Sequence, residues 1–163
     1  MLAAVGAILV ALLQSTIVPF VEVEGARPDL LLVYAVAVAV VVGIDHGVAA
    51  AFLGGTTLDA LVARPLGTTA FVLLIVVGAA TLIGRLLARS RSVAVTVAVA
   101  VTSVVAPLVF VAVYGALGSE VAVDDPLASI LPESVYSTVI GLVVGTVASR
   151  LHRRYFERER IDW

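Results

Sequence analysis

Cysteine and lysine are absent from this chain, and charged residues of either sign are scarce. Of the 163 residues, 13% are charged and 61% are hydrophobic, and the mean hydropathy is +1.16. The absence of cysteine excludes disulfides and thiolate chemistry. The scarcity of charge excludes a soluble domain, which needs far more polar surface. Long uncharged runs recur along the whole chain and predict a membrane protein with several spans.

Motifs that carry catalysis are absent as well. The sequence contains no HExxH zinc motif, no nucleophile elbow and no Walker A loop. Its two histidines, His46 and His152, lie in regions that flank the apolar segments, so they do not face each other within a span. We therefore expect no enzyme activity, no catalytic residue, no metal site and no cofactor, and we expect no nucleic-acid partner.

Six apolar segments predict an all-α integral membrane protein, with a six-helix transmembrane bundle in residues 1–150. The segments cover residues 2–21, 28–43, 48–63, 66–87, 93–117 and 135–149. We predict a tight turn at Asp45-His46-Gly47. The second, third and sixth segments are short for a span that needs ~20 apolar residues, so the second and third could form a hairpin that enters the membrane unevenly. The first segment is too long for a signal peptide and lacks a basic start, which predicts a retained helix.

The arginines predict the orientation of the bundle. Three lie at the end of the fourth segment or directly after it (Arg85, Arg89 and Arg91), five follow the sixth segment, and the other two are Arg27 and Arg64. Cytoplasmic loops carry the excess of basic residues, so both termini are predicted to be cytoplasmic. Residues 151–163 form a basic cytoplasmic tail that we expect to continue the last helix, because Arg153 and Glu157 can pair one turn apart. The acidic loop 118–134 then faces outward.

Small residues recur at four-residue spacing on the first, third and sixth segments and form three stripes, of which the one on the third contains Ala51, Gly55 and Ala63. Residues four apart share a helix face, and small side chains let two helices approach closely in lipid. Packing inside the bundle is the simpler interpretation in an alanine-rich chain. The alternative is that a stripe receives the helix of a partner, so we take as candidate partner-binding residues Ala3, Ala7 and Ala11 on the first segment, and Ser137, Gly141, Gly145 and Ser149 on the sixth.

Polar residues gather at the predicted outer ends of the first four segments: Gln14, Arg27, Pro28, Asp29, Asp59, Arg64 and Gly67. Pro28 and Asp29 suit the first turn of a helix. Asp59 lies five residues before Arg64, which places it roughly 7.5 Å below the outer end of its helix. We predict a structural cluster that contains Arg27, Asp29, Asp59 and Arg64, with Arg27 as a candidate partner of Asp59. The alternative is that Asp59 reaches the interface and is solvated.

Four stretches in the first half of the chain resemble the MreD family of bacterial rod-shape-determining membrane proteins. They are LLQSTIVPF (12–20), RPDLLLVYAV (27–36), GIDHGVAAAFLGGTTLDAL (43–61) and RPLGTTAFVLLIVVG (64–78), and they follow in the order that the family shows. From residue 88 onward the resemblance rests on hydropathy and topology.

The resemblance implies a non-enzymatic scaffold in the bacterial cytoplasmic (inner) membrane, within the cell-elongation machinery that synthesises peptidoglycan. The implied partners are an MreC-like bitopic membrane protein, RodA, a class B penicillin-binding protein and membrane lipids. The resemblance also implies a fold similar to the substrate-binding subunits of energy-coupling-factor transporters, some of which dock through alanine stripes on the first helix. A small-molecule-binding subunit of a vitamin or metabolite transporter is therefore the alternative, although the outer loop 118–134 offers no aromatic residue to a ligand.

Overall fold

The computed structural model describes residues 2–17, 29–63, 65–87, 91–116, 138–140 and 143. These residues form five long helices, α1 (Leu2–Ile17), α2 (Leu30–Val41), α3 (Ile44–Leu61), α4 (Thr68–Leu86) and α5 (Arg91–Ala116). Residues 138–140 and 143, within the sixth predicted segment, are also helical. The described residues contain no strand, which confirms the all-α prediction. The rest of the sixth segment and the tail 151–163 lie outside the described residues.

Two of the helices contain stretches that are long and apolar enough to cross a membrane, Thr68–Leu86 in α4 and Val93–Val113 in α5. The 19 residues of α4 rise roughly 28 Å, which is close to the ~30 Å hydrocarbon thickness of a bilayer. Two shorter apolar helices cover Ala3–Thr16 and Leu30–Val41.

The shortest of the five helices, α2, lies at the centre of the bundle. It packs against α1, α3, α4 and α5, and eight of its twelve residues are buried. Because those residues lie on every side of α2, the helix is apolar around its whole circumference, which is typical of a helix enclosed by its neighbours. Its twelve residues rise only about 18 Å. The neighbouring helices surround it, so α2 does not need to reach either membrane surface by itself.

The connection between α2 and α3 differs from the prediction. The turn consists of Val42 and Gly43, and Gly43 has a φ of 137°, in the region that favours glycine. The predicted turn residues 45–47 instead form the first turn of α3, where an aspartate is favourable beside the positive helix end. Gly47 serves close packing, because a Cβ there would lie 2.5 Å from the Ala39 Cβ on α2.

Two further glycines of α3 let it approach other helices. A Cβ on Gly54 would lie 3.1 Å from the Ala7 Cβ on α1 and 2.6 Å from Leu31 Cδ1 on α2. A Cβ on Gly55 would lie 2.5 Å from the Ala70 Cα on α4. Van der Waals packing of this kind is the main attraction between helices in lipid, where the hydrophobic effect does not act between them.

Large apolar side chains cover the outside of the bundle. Leu9 on α1 is 60% exposed, Phe52 on α3 is 53% exposed and Leu82 on α4 is 62% exposed. The core, in contrast, is built largely from alanine and valine. Soluble monomers rarely expose such large apolar areas, so this outer surface is suited to contact with lipid or with other membrane helices.

Candidate functional site

Asp59 in the last turn of α3 is fully buried and binds the start of the next helix. Its side chain has 0% exposure. Asp59 Oδ2 accepts a hydrogen bond from the Gly67 amide at 2.9 Å, and both carboxylate oxygens accept from the Thr69 amide, at 3.2 and 3.1 Å. The first amides of a helix have no partner within it, and a negative charge there is favoured by the helix dipole. Asp59 thus caps α4 from a neighbouring helix.

The local sequence explains why this cap comes from another helix. Gly67 is the N-cap residue of α4 and has no side chain that could accept a hydrogen bond. An N-cap side chain normally accepts from the second or third amide of its helix, and Asp59 takes this role at Thr69. The connection bends back through Ala63, at φ 55°, and Gly67, at φ 94°. Thr68 closes it by donating its hydroxyl to the Pro65 carbonyl at 2.9 Å.

The packing of α3 against α4 positions the carboxylate. Gly55 lies one helical turn before Asp59 and faces the Ala70 backbone, and Ala70 directly follows Thr69. Because Gly55 has no side chain, the two helices approach closely enough for Asp59 to reach the Thr69 amide. The glycine and the carboxylate therefore act as one unit on the same face of α3.

A second carboxylate caps α2 in a similar way. Asp29 is the N-cap residue of α2, and its Oδ1 accepts from the Leu32 amide at 3.0 Å. Gln14 of α1 completes the cap, because its Oε1 accepts from the Leu31 amide at 2.7 Å and its Nε2 donates to Asp29 Oδ1 at 3.2 Å. This pair of residues joins the end of α1 to the start of α2.

Both caps lie at the same end of the bundle, which we call the cap end. Consecutive helices α2, α3 and α4 are joined by short connections, so α2 and α4 both begin where α3 ends. The opposite end, which holds the Val42–Gly43 turn, is called the turn end. The two helices that run from the cap end to the turn end each begin at an aspartate. The arrangement fixes the positions of four helices relative to one another.

The predicted outer cluster is brought together in part. Asp59 contacts Gly67, and Asp29 contacts Gln14. Arg27, Pro28 and Arg64 lie outside the described residues, so the pairing of Asp59 with Arg27 stays a prediction. The alternative that Asp59 is solvated is wrong, because its side chain is fully buried. Sequence reasoning missed Thr69 as a donor; the available signal was a helix that begins at glycine without a capping side chain of its own.

The alanine stripe of α1 is an internal packing surface. Ala7 and Ala11 are both fully buried within the chain, and Ala7 faces Gly54 of α3. Ala3 is half-buried, and its carbonyl accepts a hydrogen bond from the Tyr34 hydroxyl at 3.1 Å. The partner-binding prediction is therefore corrected for Ala7 and Ala11, because this chain already covers them. The four stripe residues of the sixth segment lie outside the described residues.

The two caps hold helices together and do not resemble a reaction centre. Their carboxylates are occupied by backbone amides and by Gln14. Among the described residues, no group of three or more His, Cys, Asp or Glu side chains could hold a metal ion. The geometry of the cap end therefore serves to position helices.

Comparison with known proteins gives one positive result. No curated protein and no solved structure matches the chain, so the predicted similarity to transporter subunits stays a prediction. A family model described as rod shape-determining protein MreD matches residues 1–147. The match includes all five long helices and both caps. The chain therefore belongs to the MreD family of bacterial rod shape-determining membrane proteins.

Proposed function

We propose that this protein is a non-enzymatic scaffold of the bacterial cell-elongation machinery and that it binds an MreC-like bitopic partner in the cytoplasmic membrane. The family supplies the role in rod-shape determination. The observation that carries the scaffold proposal is the use of the two cap carboxylates, since Asp29 and Asp59 both bind backbone amides at helix starts. Such a bundle presents fixed outer surfaces, which is what a scaffold needs to hold partners.

The surface that receives the partner is proposed to be the sixth segment. The α1 stripe is already buried against α3, which leaves the stripe of Ser137, Gly141, Gly145 and Ser149. Two glycines at four-residue spacing are costly within a helix and are typical of a close contact between two membrane helices. RodA and a class B penicillin-binding protein would join the complex through this partner or beside it.

The orientation of the scaffold is proposed from the arginines. Arg85 is exposed at the turn end of α4, and Arg89 and Arg91 follow it in the sequence. Basic residues favour the cytoplasmic side, so the turn end faces the cytoplasm and the cap end faces outward. The protein would then be a multi-pass protein of the inner membrane with six spans and both termini inside.

A transporter subunit that binds a small molecule has less support. Such a subunit should offer convergent polar groups that are free to bind a ligand. At the cap end, the Asp59 carboxylate is enclosed and accepts three hydrogen bonds from α4 amides. Of the polar groups that sequence analysis placed there, Gln14, Asp29 and Asp59 fasten helices.

Substitutions on the sixth segment test the proposed contact. Gly141→Leu and Gly145→Leu should each block the close approach of a partner helix, and contacts of this kind are worth roughly 1–2 kcal/mol. We expect the capture of the MreC-like partner from detergent-solubilised membranes to fall roughly 5- to 30-fold. The matched control is Val143→Leu, since Val143 lies on the same segment, off the stripe, and is 55% exposed.

Two outcomes would decide against the contact. If both leucine variants capture the partner as the unchanged chain does, the stripe packs inside its own bundle. If Val143→Leu lowers the capture as strongly as Gly141→Leu, the loss reflects general damage to the segment. Equal amounts of inserted protein must be loaded for each variant, so that failed insertion is not mistaken for lost binding.

A further inference from the structure

A cleft opens at the turn end of the bundle, between α2, α4 and α5. Its volume is about 350 Å³, which falls within the ~300–1,000 Å³ of typical small-molecule sites. The residues that define it are Val40, Ile44, Gly84, Arg85, Leu87 and Ala94. It lies at the opposite end of the molecule from the two carboxylate caps and takes no part in the contacts described above.

The walls of the cleft suit hydrocarbon. Val40 and Ile44 line one side and Leu87 and Ala94 line others. Gly84 lets α4 approach α2 closely at the floor of the cleft, since a Cβ there would lie 3.3 Å from Val40 Cγ1 and a longer side chain would be forced against Val40 or into the cleft. An occupant of this cleft must therefore be narrow and largely apolar.

Among the described residues that line the cleft, one is cationic. Arg85 lines the cleft and is exposed. Within the part of the chain that the structure describes, its guanidinium has no hydrogen bond and no ion pair. Asp45, exposed in the first turn of α3, lies at the same end of the bundle but forms no salt bridge with it. An unpaired guanidinium offers two parallel donors to a phosphate group, so the cleft combines an apolar interior with an anion-binding edge.

We propose that this cleft binds an anionic phospholipid, with the phosphate at Arg85 and part of an acyl chain against Val40, Ile44 and Ala94. Basic pockets between membrane helices bind anionic lipid headgroups, and here the basic side chain lies beside apolar cleft walls. A partner helix fits less well. A helix is about 10 Å across, whereas α2 and α4 approach closely where Val40 faces Gly84, which leaves no room for a helix between them.

Native mass spectrometry of the full-length chain in a neutral detergent tests the site. Phosphatidylglycerol is the anionic probe, phosphatidylcholine is the zwitterionic probe, and inorganic phosphate is the headgroup probe without a tail. We expect one phosphatidylglycerol to stay bound at detergent concentrations that remove phosphatidylcholine, and phosphate alone to show no retention. Arg85→Gln should lower phosphatidylglycerol retention about fivefold, as expected for one basic residue near anionic lipid.

Three variants complete the experiment. Gly84→Leu should lower the retention of both lipids, because it fills the space for the chain. Arg89→Gln removes the same charge four residues later in the sequence, from the connection that follows α4, and is expected to leave retention unchanged. Asp45→Asn removes a competing negative charge and should leave phosphatidylglycerol retention equal or raised. Because Arg85 and Asp45 are exposed, their variants are expected to fold, which a single symmetric peak in size-exclusion chromatography checks.

Several results would overturn the proposal. Equal retention of the two lipids would show a plain hydrocarbon groove, and equal losses in Arg85→Gln and Arg89→Gln would show general attraction to the basic connection. Retention of phosphate alone would show a headgroup site without a lipid. If Gly84→Leu abolishes capture of an MreC-like partner but leaves phosphatidylglycerol bound, the cleft is a protein-docking site instead.

Discussion

Asp59 is a carboxylate with no exposed surface, in the last turn of α3. Burying a charge in such a place is costly unless donors surround it. The structure supplies backbone amides for this purpose, because Gly67 and Thr69 both donate to the carboxylate. The same contact satisfies amides that would otherwise be buried without an acceptor, at a cost of roughly 1–3 kcal/mol each. Asp59 therefore stabilises the start of α4, and the amides at that start stabilise the buried carboxylate in return.

Removing the carboxylate should destabilise the fold. Asp59→Ala leaves the Gly67 and Thr69 amides buried without an acceptor, and we expect a loss of about 2–3 kcal/mol, at the upper end of capping and charged hydrogen-bond effects. This loss of stability is measured as a lower thermal midpoint of unfolding in detergent, monitored by fluorescence-detected size-exclusion chromatography. The control is Asp45→Ala, an exposed carboxylate on the same helix, for which we expect at most about 1 kcal/mol. Equal midpoints for the two variants would contradict the cap.

At the scale of elements, α3 organises the bundle through glycines that face different neighbours. Gly47 meets α2, Gly54 meets α1 and α2, and Gly55 meets α4. Each allows a backbone-to-backbone approach that a side chain would prevent. The large residues of α3, such as Phe52, point outward. The helix therefore has a smooth inner surface and a bulky outer one, which is the reverse of a soluble core helix.

A pair of glycine substitutions separates packing from helix propensity. Gly55→Ala places a Cβ 2.5 Å from the Ala70 Cα, so α3 and α4 must separate and we expect a loss of roughly 1–3 kcal/mol from overpacking. Gly78→Ala on α4 meets nothing within 4 Å, and we expect a gain of up to about 1 kcal/mol because alanine is the better helix former. Thermal midpoints of both variants check the prediction. A stabilised Gly55→Ala protein would show that the contact is not close.

The same elements show what the sequence could and could not predict. The predicted fourth and fifth segments, 66–87 and 93–117, agree with α4 and α5 to within two residues at each end, because their apolar runs are long. The predicted position of the turn between α2 and α3 was wrong. Gly47 was assigned to the turn because glycine is common in turns, whereas in the structure Gly47 allows close packing. The small-residue pattern at Ala7 predicted a close contact correctly, but a pattern of this kind does not specify which helix makes it.

The partners of Asp59 could not be predicted for a related reason. A sequence does not show which backbone amides lack a partner. A basic side chain, that of Arg27, was therefore predicted to pair with Asp59. Only the connection between α3 and α4 brings the amides of Gly67 and Thr69 over the carboxylate. A glycine at the start of a helix was the one indication that a cap would come from elsewhere.

At the scale of the whole molecule, the described residues place the two carboxylate caps at one end and the exposed Arg85 at the other. The cap end holds Asp29 and Asp59 in closed networks, and the turn end exposes Arg85, Asp45 and His46. We propose that the closed end faces outward and that the open end faces the cytoplasm. A scaffold that links an envelope enzyme complex to the cytoplasm requires such a fixed orientation.

Cysteine labelling tests this orientation in intact cells. The chain has no cysteine, so a single introduced thiol reports its own location without a background. We expect Ser119→Cys, in the acidic loop, to react with a membrane-impermeant maleimide, and Ile161→Cys in the tail to react only after the cells are opened. The reverse pattern would show that the bundle is inverted.

The most direct measurement of the central claim is the composition of the complex that this protein forms. The full chain should be tagged, expressed in its rod-shaped host at native level, purified in a mild detergent and examined by mass spectrometry. The account predicts that an MreC-like bitopic protein co-purifies in comparable molar amount, with elongation enzymes in smaller amounts. Recovery of an ATPase pair in place of such a protein, or of the chain alone from cells that contain an MreC-like protein, would contradict it.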